Sequence, residues 1–171
     1  MLPAPPKFSR IARMWKGTVI ALHVTPVRGE ETVGQESLEA VAGRGLRGDY
    51  RCDAPEPVSP KRQATLIEWE TLAALKRDSG FTVEAGKIRR NIVTKGVPLN
   101  HLVGEEFQVG GVRMKGIMLC DPCKEIEEKT VKGMRAALEN RGGLRAEVLT
   151  SGKILPGDPV TPSESAGQGT R

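Results

Sequence analysis

Aromatic residues and cysteine are both scarce in this 171-residue sequence. Aromatic residues make up 4% of it, and there are three cysteines. Proteins that bind single-stranded nucleic acid stack its bases on aromatic side chains, so the first shortage argues against nucleic acid as a partner. An odd number of cysteines, in a chain long enough to bury a sizeable core, argues against a framework of disulfides.

Long apolar runs are absent as well. No segment approaches the roughly 20 consecutive apolar residues that a transmembrane helix needs. The proline-rich stretch Met1–Lys7 lacks the apolar segment of a secretory signal. We therefore expect a cytoplasmic protein with no membrane partner. The excess of 26 basic over 21 acidic residues is too small to choose between nucleic acid, a membrane surface and a small anion.

The chain does contain many short runs of Val, Ile and Leu, separated by glycine and proline. This arrangement predicts short strands joined by turns, and therefore a mainly β domain with a few short helices. The clearest strands are predicted at Thr18–Val24, Gln63–Ile67 and Leu144–Leu149. The pair Gly110-Gly111, between two short apolar runs, predicts a hairpin turn.

Two segments have the pattern of helices. From Glu68 onward the apolar residues are spaced as on one helical face, which includes Trp69, and glycine can cap the helix near Gly80. We therefore expect Trp69 in the core. Residues 124–138 are also compatible with a helix, in which Gly133 is the weak point.

The two ends of the chain differ in composition from its middle. Residues 1–15 are rich in proline and basic side chains, and residues 162–171 consist mostly of small and polar ones. Both are expected to be flexible tails. The length is that of one domain, which we place at residues 16–161.

The segment Cys120-Asp121-Pro122-Cys123 is the first candidate for chemistry. This spacing can support a redox disulfide, half of a zinc site, or one reactive thiol beside an unreactive one, and two buried thiols are a further possibility. A zinc site would have to recruit Cys52, His23 or His101, because no second close-spaced pair exists. The spacing alone leaves these alternatives open.

The second candidate is the basic segment 87–96, which contains Arg89, Arg90 and Asn91. Adjacent arginines can offer forked donors to phosphate or oxo groups, and the amide of asparagine can both donate and accept toward a heterocycle. The segment could thus hold an anionic ring ligand, or it could be an ordinary solvated basic face. Similarly, the glycines of Gly43–Asp49 could let the backbone approach a ligand or could simply form turns.

Taken together in their order and spacing, several motifs resemble the MOSC domain family (molybdenum cofactor sulfurase C-terminal domain), in the form of a stand-alone bacterial-type member. The motifs are Gly45-Leu46-Arg47-Gly48-Asp49, Arg62-Gln63-Ala64-Thr65-Leu66-Ile67, Arg89-Arg90-Asn91-Ile92-Val93, Leu102 to Gly110, Cys120-Asp121-Pro122-Cys123 and Gly157-Asp158. The sequence departs from the family pattern in the order Tyr50-Arg51 and in having Arg90-Asn91 where many members have Gly-Glu-Asn.

The resemblance implies a β-barrel-like fold, similar to the β-domain of pyruvate kinase, and a cysteine that carries sulfur as a persulfide or ligates the molybdenum of the molybdenum cofactor (molybdopterin). Carried over by motif, that cysteine is Cys123, with Cys120 second. The same resemblance implies that Arg89, Arg90 and Asn91 hold the pterin or its phosphate. Arg47 and Asp49 are its further candidate cofactor contacts.

Three functions follow as expectations. The first is binding of the molybdenum cofactor, or sulfur transport on Cys123. The second is molybdenum-dependent reduction of N-hydroxylated compounds with a separate electron donor. A zinc-stabilised binding module is the third. Because the chain has no desulfurase portion, pyridoxal phosphate is not expected, and a partner such as a cysteine desulfurase or a reductase would supply sulfur or electrons.

Overall fold

The apolar runs of the sequence become the strands of a closed barrel. The structure is a computed structural model that describes residues 14–163. Its strands are β1 (Gly17–Val24), β2 (Val33–Gln35), β3 (Leu38–Val41), β4 (Gly45–Leu46), β5 (Ala64–Glu68), β6 (Ile92–Lys95), β7 (Glu106–Val109), β8 (Val112–Leu119), β9 (Leu144–Val148), β10 (Gly152–Ile154) and β11 (Pro159–Pro162). Its helices are α1 (Tyr50–Asp53), α2 (Trp69–Ser79), α3 (Lys124–Lys129) and α4 (Met134–Ala137), with single 3-10 turns at Pro60–Arg62, Ala85–Ile88 and Leu99–Leu102.

Seven of the strands form the barrel. They follow one another in the order β11, β7, β8, β9, β5, β6 and β1, and the pairing of β1 with β11 closes the circle. The neighbours β5 and β6 are parallel, whereas the other pairs in the barrel are antiparallel. Strand β2 pairs with β1 as an additional strand of this sheet, and β10, β3 and β4 form a small second sheet. The predicted fold class, mainly β with a barrel and a few short helices, is confirmed.

Alternation along the strands fills the barrel with apolar side chains. In β1, Leu22 and Val24 are buried because successive strand residues point to opposite faces of the sheet, and a register shift between Val19 and Ala21 brings Val19 to the same buried face. Phe107 and Met114, on the neighbouring strands β7 and β8, are completely buried in the same cluster. Burial of each large side chain contributes roughly 1.5 to 3 kcal/mol.

A second apolar cluster lies outside the barrel, beneath the helices. It joins Ile67 of β5 and Leu75 of α2 to Ile126 of α3 and Met134 of α4, together with Ile88. Ile126 comes three residues after Cys123, so its burial fixes the helix that follows the cysteine pair. This cluster therefore holds the cysteine segment against the outer surface of the barrel.

Helix α2 occupies the predicted residues but is rotated. It ends at Gly80, which has φ of 69° and donates its N–H to the carbonyl of Lys76. The prediction that Trp69 belongs to the core is wrong: Trp69 is 42% exposed, and the buried residues of the helix are Thr71 and Leu75. Because β5 ends one residue before α2 begins, the direction of the strand sets which helical face meets the barrel.

The predicted helix 124–138 is divided in two. Gly133 adopts φ of 95° and precedes α4, so the weak point of the pattern is where the helical conformation is interrupted. Most of both predicted tails, 1–15 and 162–171, lies outside the described residues, and the domain boundaries stay a prediction. Within the described part of the chain, no helix is both long enough and apolar enough to cross a bilayer.

Candidate functional site

The cysteine pair lies on the loop between β8 and α3. Strand β8 ends at Leu119, and Cys123 immediately precedes α3. Cys120 is only 3% exposed, and its backbone N–H donates to the carbonyl of Gly143 over 2.7 Å. Cys123 is exposed. The two thiols therefore have different environments, one anchored at the base of the loop and the other open to solvent.

A glycine turn supports this loop. A Cβ on Gly142 would overlap the carbonyl oxygen of Cys120 and would lie 3.3 Å from Cδ of Pro122. Gly143 has φ of 108°, a conformation that disfavours a side chain, and a Cβ there would overlap the carbonyl oxygen of Leu66. The cysteine loop thus rests directly on the backbone of the turn that enters β9.

Arg90 ties the cysteine loop to the segment that precedes β6. Its guanidinium donates from Nε to the carbonyl of Gly142 over 2.8 Å and from Nη1 to that of Ile88 over 3.2 Å. A longer contact of 3.5 Å joins Nη2 to the carbonyl of Cys120. Arg90 is only 6% exposed. Its donors are therefore occupied by backbone carbonyls.

The charge of Arg90 lies close to both thiols. Burial lowers the pKa of Arg90, and electrostatic attraction to Cys120 and Cys123 opposes that shift. An arginine side chain is not deprotonated in proteins, so a buried positive charge faces the cysteine pair. A negatively charged sulfur is stabilised by such a neighbour.

Asn91 is a junction of hydrogen bonds. Its Oδ1 accepts from the backbone N–H and from Oγ1 of Thr65, both over 3.0 Å. Its Nδ2 donates to the carbonyl of His23 over 3.1 Å and to Oδ2 of Asp49 over 3.3 Å. Both donors and both acceptor positions of the amide are occupied within the protein. The side chain joins β1, β5 and the start of α1.

Asp49 holds the start of α1 at the same place. Its carboxylate accepts from the backbone N–H groups of Thr25 and Arg51, each over 3.2 Å, and the second of these contacts caps the helix. Nη1 of Arg51 lies 3.7 Å from Oδ1 of Asp49, and its guanidinium stands 4.6 Å from the centre of the Tyr50 ring. Asp49 thereby directs Tyr50 and Arg51 toward the site.

Arg89 occupies a left-handed backbone conformation, with φ of 62°. Such a conformation is uncommon outside glycine and is found disproportionately at functional sites. Nη1 of Arg89 donates to the carbonyl of Glu30 over 2.6 Å, and Nη2 lies 3.7 Å from Oε1 of Glu125. These contacts hold the side chain between the β1–β2 connection and α3.

These elements enclose an arginine-lined pocket with a volume of about 310 Å³. Cys120 and Cys123 line it, together with Tyr50 and Asn91. Six arginines and three carboxylates supply its charge: Arg28, Arg51, Arg62, Arg89, Arg90, Arg145, Asp49, Asp121 and Glu125. The excess of positive charge favours an anionic ligand, and arginine is well suited to phosphate and oxo groups. The volume lies at the lower end for a pocket that takes a small molecule.

The structure brings six of the seven residues predicted from the sequence to this one pocket: Cys120, Cys123, Arg89, Arg90, Asn91 and Asp49. Arg47 lies elsewhere. It is exposed, its Nε is 3.5 Å from Oε2 of Glu39, and it lines a separate open depression beside Arg44 and Cys52. Being adjacent in sequence to the Asp49 turn did not bring its side chain to the pocket.

Sequence reasoning did not select Arg28, Arg51, Arg62 or Arg145. Arg62 belongs to the segment 62–67, which the sequence marks only through its resemblance to the MOSC domain family. Arg145 is an outward-facing residue of β9, and nothing near it in the sequence marks it. The barrel pairs Arg145 with Thr65, the residue that anchors Asn91, and so brings it to the pocket. Only the strand pairing could have revealed this residue.

A structural zinc site finds no support in the described part of the chain. Such sites use four protein ligands. Among the described residues, no three His, Cys, Asp or Glu side chains are grouped so that they could hold a metal ion. Cys52 is buried in α1, where burial raises the pKa of its thiol, and it lines the depression beside Arg47 rather than the arginine-lined pocket. We therefore do not propose a zinc-stabilised module.

Comparison with known proteins agrees with the architecture. The family model of the MOSC domain matches residues 53–161. No curated protein matches the chain.

Several solved structures share the fold. The YuaD protein from Bacillus subtilis is 16% identical with a TM-score of 0.72, and the match covers 86% of this chain and 97% of that one. YiiM from Escherichia coli is 18% identical with a TM-score of 0.62, over 88% of this chain and 72% of that one. YiiM from Geobacillus stearothermophilus is 16% identical with a TM-score of 0.61, and the match covers 88% of this chain and 77% of that one. At these identities the likeness establishes the fold alone.

Proposed function

This chain belongs to the MOSC domain family, which is linked to binding of the molybdenum cofactor or to sulfur handling, and we propose that it binds that cofactor in the arginine-lined pocket with Cys123 as the sulfur ligand. One observation carries the proposal. Among the three cysteines of the chain, all of them in its described part, Cys123 alone is exposed, and it lies at a pocket with six arginines.

The donor set fits such a group. A thiolate is a soft ligand suited to a transition metal, and a pterin that bears a phosphate is an anion suited to guanidinium groups. Arg90 sets the cysteine loop and places a positive charge beside the thiol, and Asp49 directs Arg51 to the pocket. When bound, the molybdenum would supply two-electron oxidation and reduction.

The difference between the two thiols decides which one is proposed as the ligand. Cys120 is buried, and its backbone N–H and carbonyl are both engaged, by Gly143 and Arg90. A ligand atom must be reachable from the pocket, and the exposed thiol of Cys123 meets that requirement. Cys120 is proposed as the second, buried thiol of the site, beside the ligand Cys123.

Sulfur transport on Cys123 is the second candidate, and the exposure of this thiol favours it because a protein donor could reach it. The thiolate would attack the terminal sulfur of a donor persulfide. The new S–S bond would form on Cys123, the donor's own S–S bond would break, and the donor would leave as a thiolate. A cysteine desulfurase is the class of partner that provides such a persulfide.

Reduction of N-hydroxylated compounds is the catalytic activity that would accompany cofactor binding. An N-hydroxylamine takes up two electrons and two protons, the N–O bond breaks, and an amine and water are released. The electrons would come from a separate electron-transfer protein. The substrate would approach from the solvent side, where Cys123 is exposed.

Metal and mass analysis of the purified protein tests the proposal. Protein from a host that makes the cofactor should contain molybdenum and pterin in equal amounts, close to one per chain. A gain of about 32 Da on Cys123, one sulfur atom, would instead identify the carrier.

Cysteine variants provide the controls. Cys123→Ala should lose whichever of these two signals the wild type shows, whereas Cys52→Ala, which changes a buried thiol away from the pocket, should keep it. Retention of molybdenum and pterin by the Cys123→Ala protein would show that Cys123 is not the ligand.

A further inference from the structure

The six arginines of the pocket differ in how many donors they have left for a ligand. Arg89 donates to a backbone carbonyl and forms an ion pair with Glu125, and Arg90 donates to three backbone carbonyls. Within the described residues, Arg62 has no side-chain hydrogen bond or ion pair, and Arg145 donates only from Nη1. The arginines that the sequence pointed to are therefore the ones least able to bind an anion with their full set of donors.

Arg62 and Arg145 lie next to each other. Nη1 of Arg145 donates to the carbonyl of Lys61 over 3.2 Å, which brings its guanidinium beside the residue that precedes Arg62. Both side chains line the arginine-lined pocket. Arg62 ends the 3-10 turn before β5, and Arg145 belongs to β9, the antiparallel neighbour of β5. The turn that leads into β5 and the neighbouring strand β9 thus each contribute one guanidinium group to the wall of the pocket.

Positive charge accumulates at this wall, where neither Arg62 nor Arg145 forms an ion pair with a described residue. Repulsion from Arg145 helps to lower the pKa of Arg90, so these two charges are also near each other. No carboxylate of the described residues forms an ion pair with Arg62 or Arg145. Like charges placed together without a counter-charge destabilise the folded state, and an anion bound between them removes that cost.

Arg28 also has no side-chain partner among the described residues and, like Arg62, is exposed; it lies on the connection between β1 and β2. Among the described residues, no arginine of the pocket is hydrogen-bonded to a peptide group next to Arg28, whereas Arg145 is bonded to the carbonyl of Lys61, next to Arg62. The pair Arg62 and Arg145 is therefore the one suited to act as two arms of a single site.

We propose that Arg62 and Arg145 form an oxyanion subsite that binds a phosphomonoester group of the pocket's ligand. Each guanidinium can donate two parallel hydrogen bonds to phosphate oxygens. The assignment of that group to the cofactor rests on the proposed function. A phosphate carried by a substrate has the same chemistry, and the experiment separates the two sources.

Binding of inorganic phosphate to protein purified from a host that does not make the cofactor, measured by isothermal titration calorimetry at low ionic strength, tests the subsite. Arg62→Gln and Arg145→Gln should each weaken binding roughly tenfold, because each removes charge-assisted hydrogen bonds. Arg145→Lys keeps the charge but loses the fork and should fall between these values and the wild type. Arg135→Gln is the matched control, because it removes one positive charge from an exposed position on α4 outside the pocket.

The molybdenum and pterin content of the Arg62→Gln/Arg145→Gln double variant identifies the source of the phosphate. If the double variant loses both phosphate binding and cofactor, the subsite holds the phosphate of the cofactor. If it loses phosphate binding but keeps cofactor, the subsite holds the phosphate of a substrate. Either result requires that thermal unfolding show a folded double variant.

Two results separate failure of the subsite from failure of the proposed function. Phosphate affinity equal to that of the wild type in the double variant, or an equal loss in Arg135→Gln, would overturn the subsite. A wild-type protein that binds phosphate through these arginines but never contains molybdenum or pterin would overturn the proposed function and leave the subsite in place.

Discussion

Nδ2 of Asn91 donates to Oδ2 of Asp49 over 3.3 Å, and this hydrogen bond joins residues 42 positions apart in the sequence. Both side chains are buried at the wall of the arginine-lined pocket. Through it, the segment before β6 is connected to the cap of α1. The basic segment 87–96 and the glycine-rich segment 43–49, both candidates from the sequence, therefore hold each other in place.

Replacement of Asn91 should destabilise the fold more than replacement of a surface asparagine. Asn91→Ala leaves the backbone N–H of Thr65 without its partner and removes one of the hydrogen bonds to Asp49, and an unsatisfied buried polar group costs about 1 to 3 kcal/mol. Urea unfolding measures the change. Asn100→Ala, which removes an exposed bond to the carbonyl of Asn140, should cost less than about 0.5 kcal/mol. Equal losses in both variants would contradict the junction role of Asn91.

The glycine turn beneath the cysteine loop provides a second prediction. Gly142→Ala forces Cys120 and Pro122 away from the turn, because the new Cβ would overlap the Cys120 carbonyl. In the folded wild type a thiol reagent should modify Cys123 rapidly and Cys120 slowly. In Gly142→Ala the rate at Cys120 should rise.

The control for this change is Gly111→Ala. Nothing lies within 4 Å of a Cβ at Gly111, in the turn between β7 and β8. This variant should leave the reactivity of every thiol as it is in the wild type. An unchanged rate at Cys120 in Gly142→Ala would show that the turn does not position the loop.

Glu68 predicts a pH dependence of stability. Burial, and to a smaller extent the charge of Glu70, raises the pKa of Glu68 from 4.5 to about 7. In this window the unfolded chain has already lost the proton that the folded protein keeps, so Glu68 makes the free energy of unfolding fall as pH rises from about 4.5 to 7. Glu68→Gln should remove this slope and raise stability at pH 8.

The expected gain from Glu68→Gln is about 1 kcal/mol, since the carboxyl is partly solvated and the solvent weakens the effect. Urea unfolding at pH 5 and at pH 8 measures it. Glu139→Gln, at an exposed position, should leave the difference between the two pH values unchanged. If wild type and Glu68→Gln keep the same difference, ionisation of Glu68 does not oppose folding.

The barrel core should respond strongly to truncation. Phe107 is the largest completely buried side chain, and it packs inside the closed barrel. Phe107→Ala removes its apolar surface and leaves a cavity, at a cost of about 3 to 5 kcal/mol. Leu155→Ala, at a position that is 43% exposed, should cost well under half of that value. Unfolding by urea compares the two, and similar losses would place Phe107 outside the cooperative core.

Local pattern predicted fewer than half of the eleven strands in the described part of the chain. Thr18–Val24 and the turn at Gly110-Gly111 were predicted from alternation and turn chemistry, which depend only on neighbours in sequence, and both are present. The face of α2 was not predicted correctly. Trp69 is exposed because the rotation of the helix is set by the strand before it and the barrel beneath it, and neither is visible in the helical pattern.

The candidate site was also predicted only in part, because the sequence shows which residues are neighbours along the chain and does not show which strands pair. Arg89, Arg90 and Asn91 were selected because charge and amide groups stand together in sequence, and they do reach the pocket. Arg145 was missed because it reaches the pocket through its pairing with Thr65 across β5 and β9. Arg47 was a candidate because it belongs to the motif Gly45–Asp49 that resembles the family, although its side chain lines another surface.

The sequence by itself determined that this chain forms short strands and turns, and that a proline stands between Cys120 and Cys123. These properties follow from side-chain chemistry over a few residues. Only the tertiary structure decided that Cys123 is the exposed thiol, that Arg90 is committed to the loop, and that Arg62 and Arg145 keep donors for a ligand. Burial and hydrogen-bond partners depend on which distant segments the closed barrel brings together, and no local pattern contains that information.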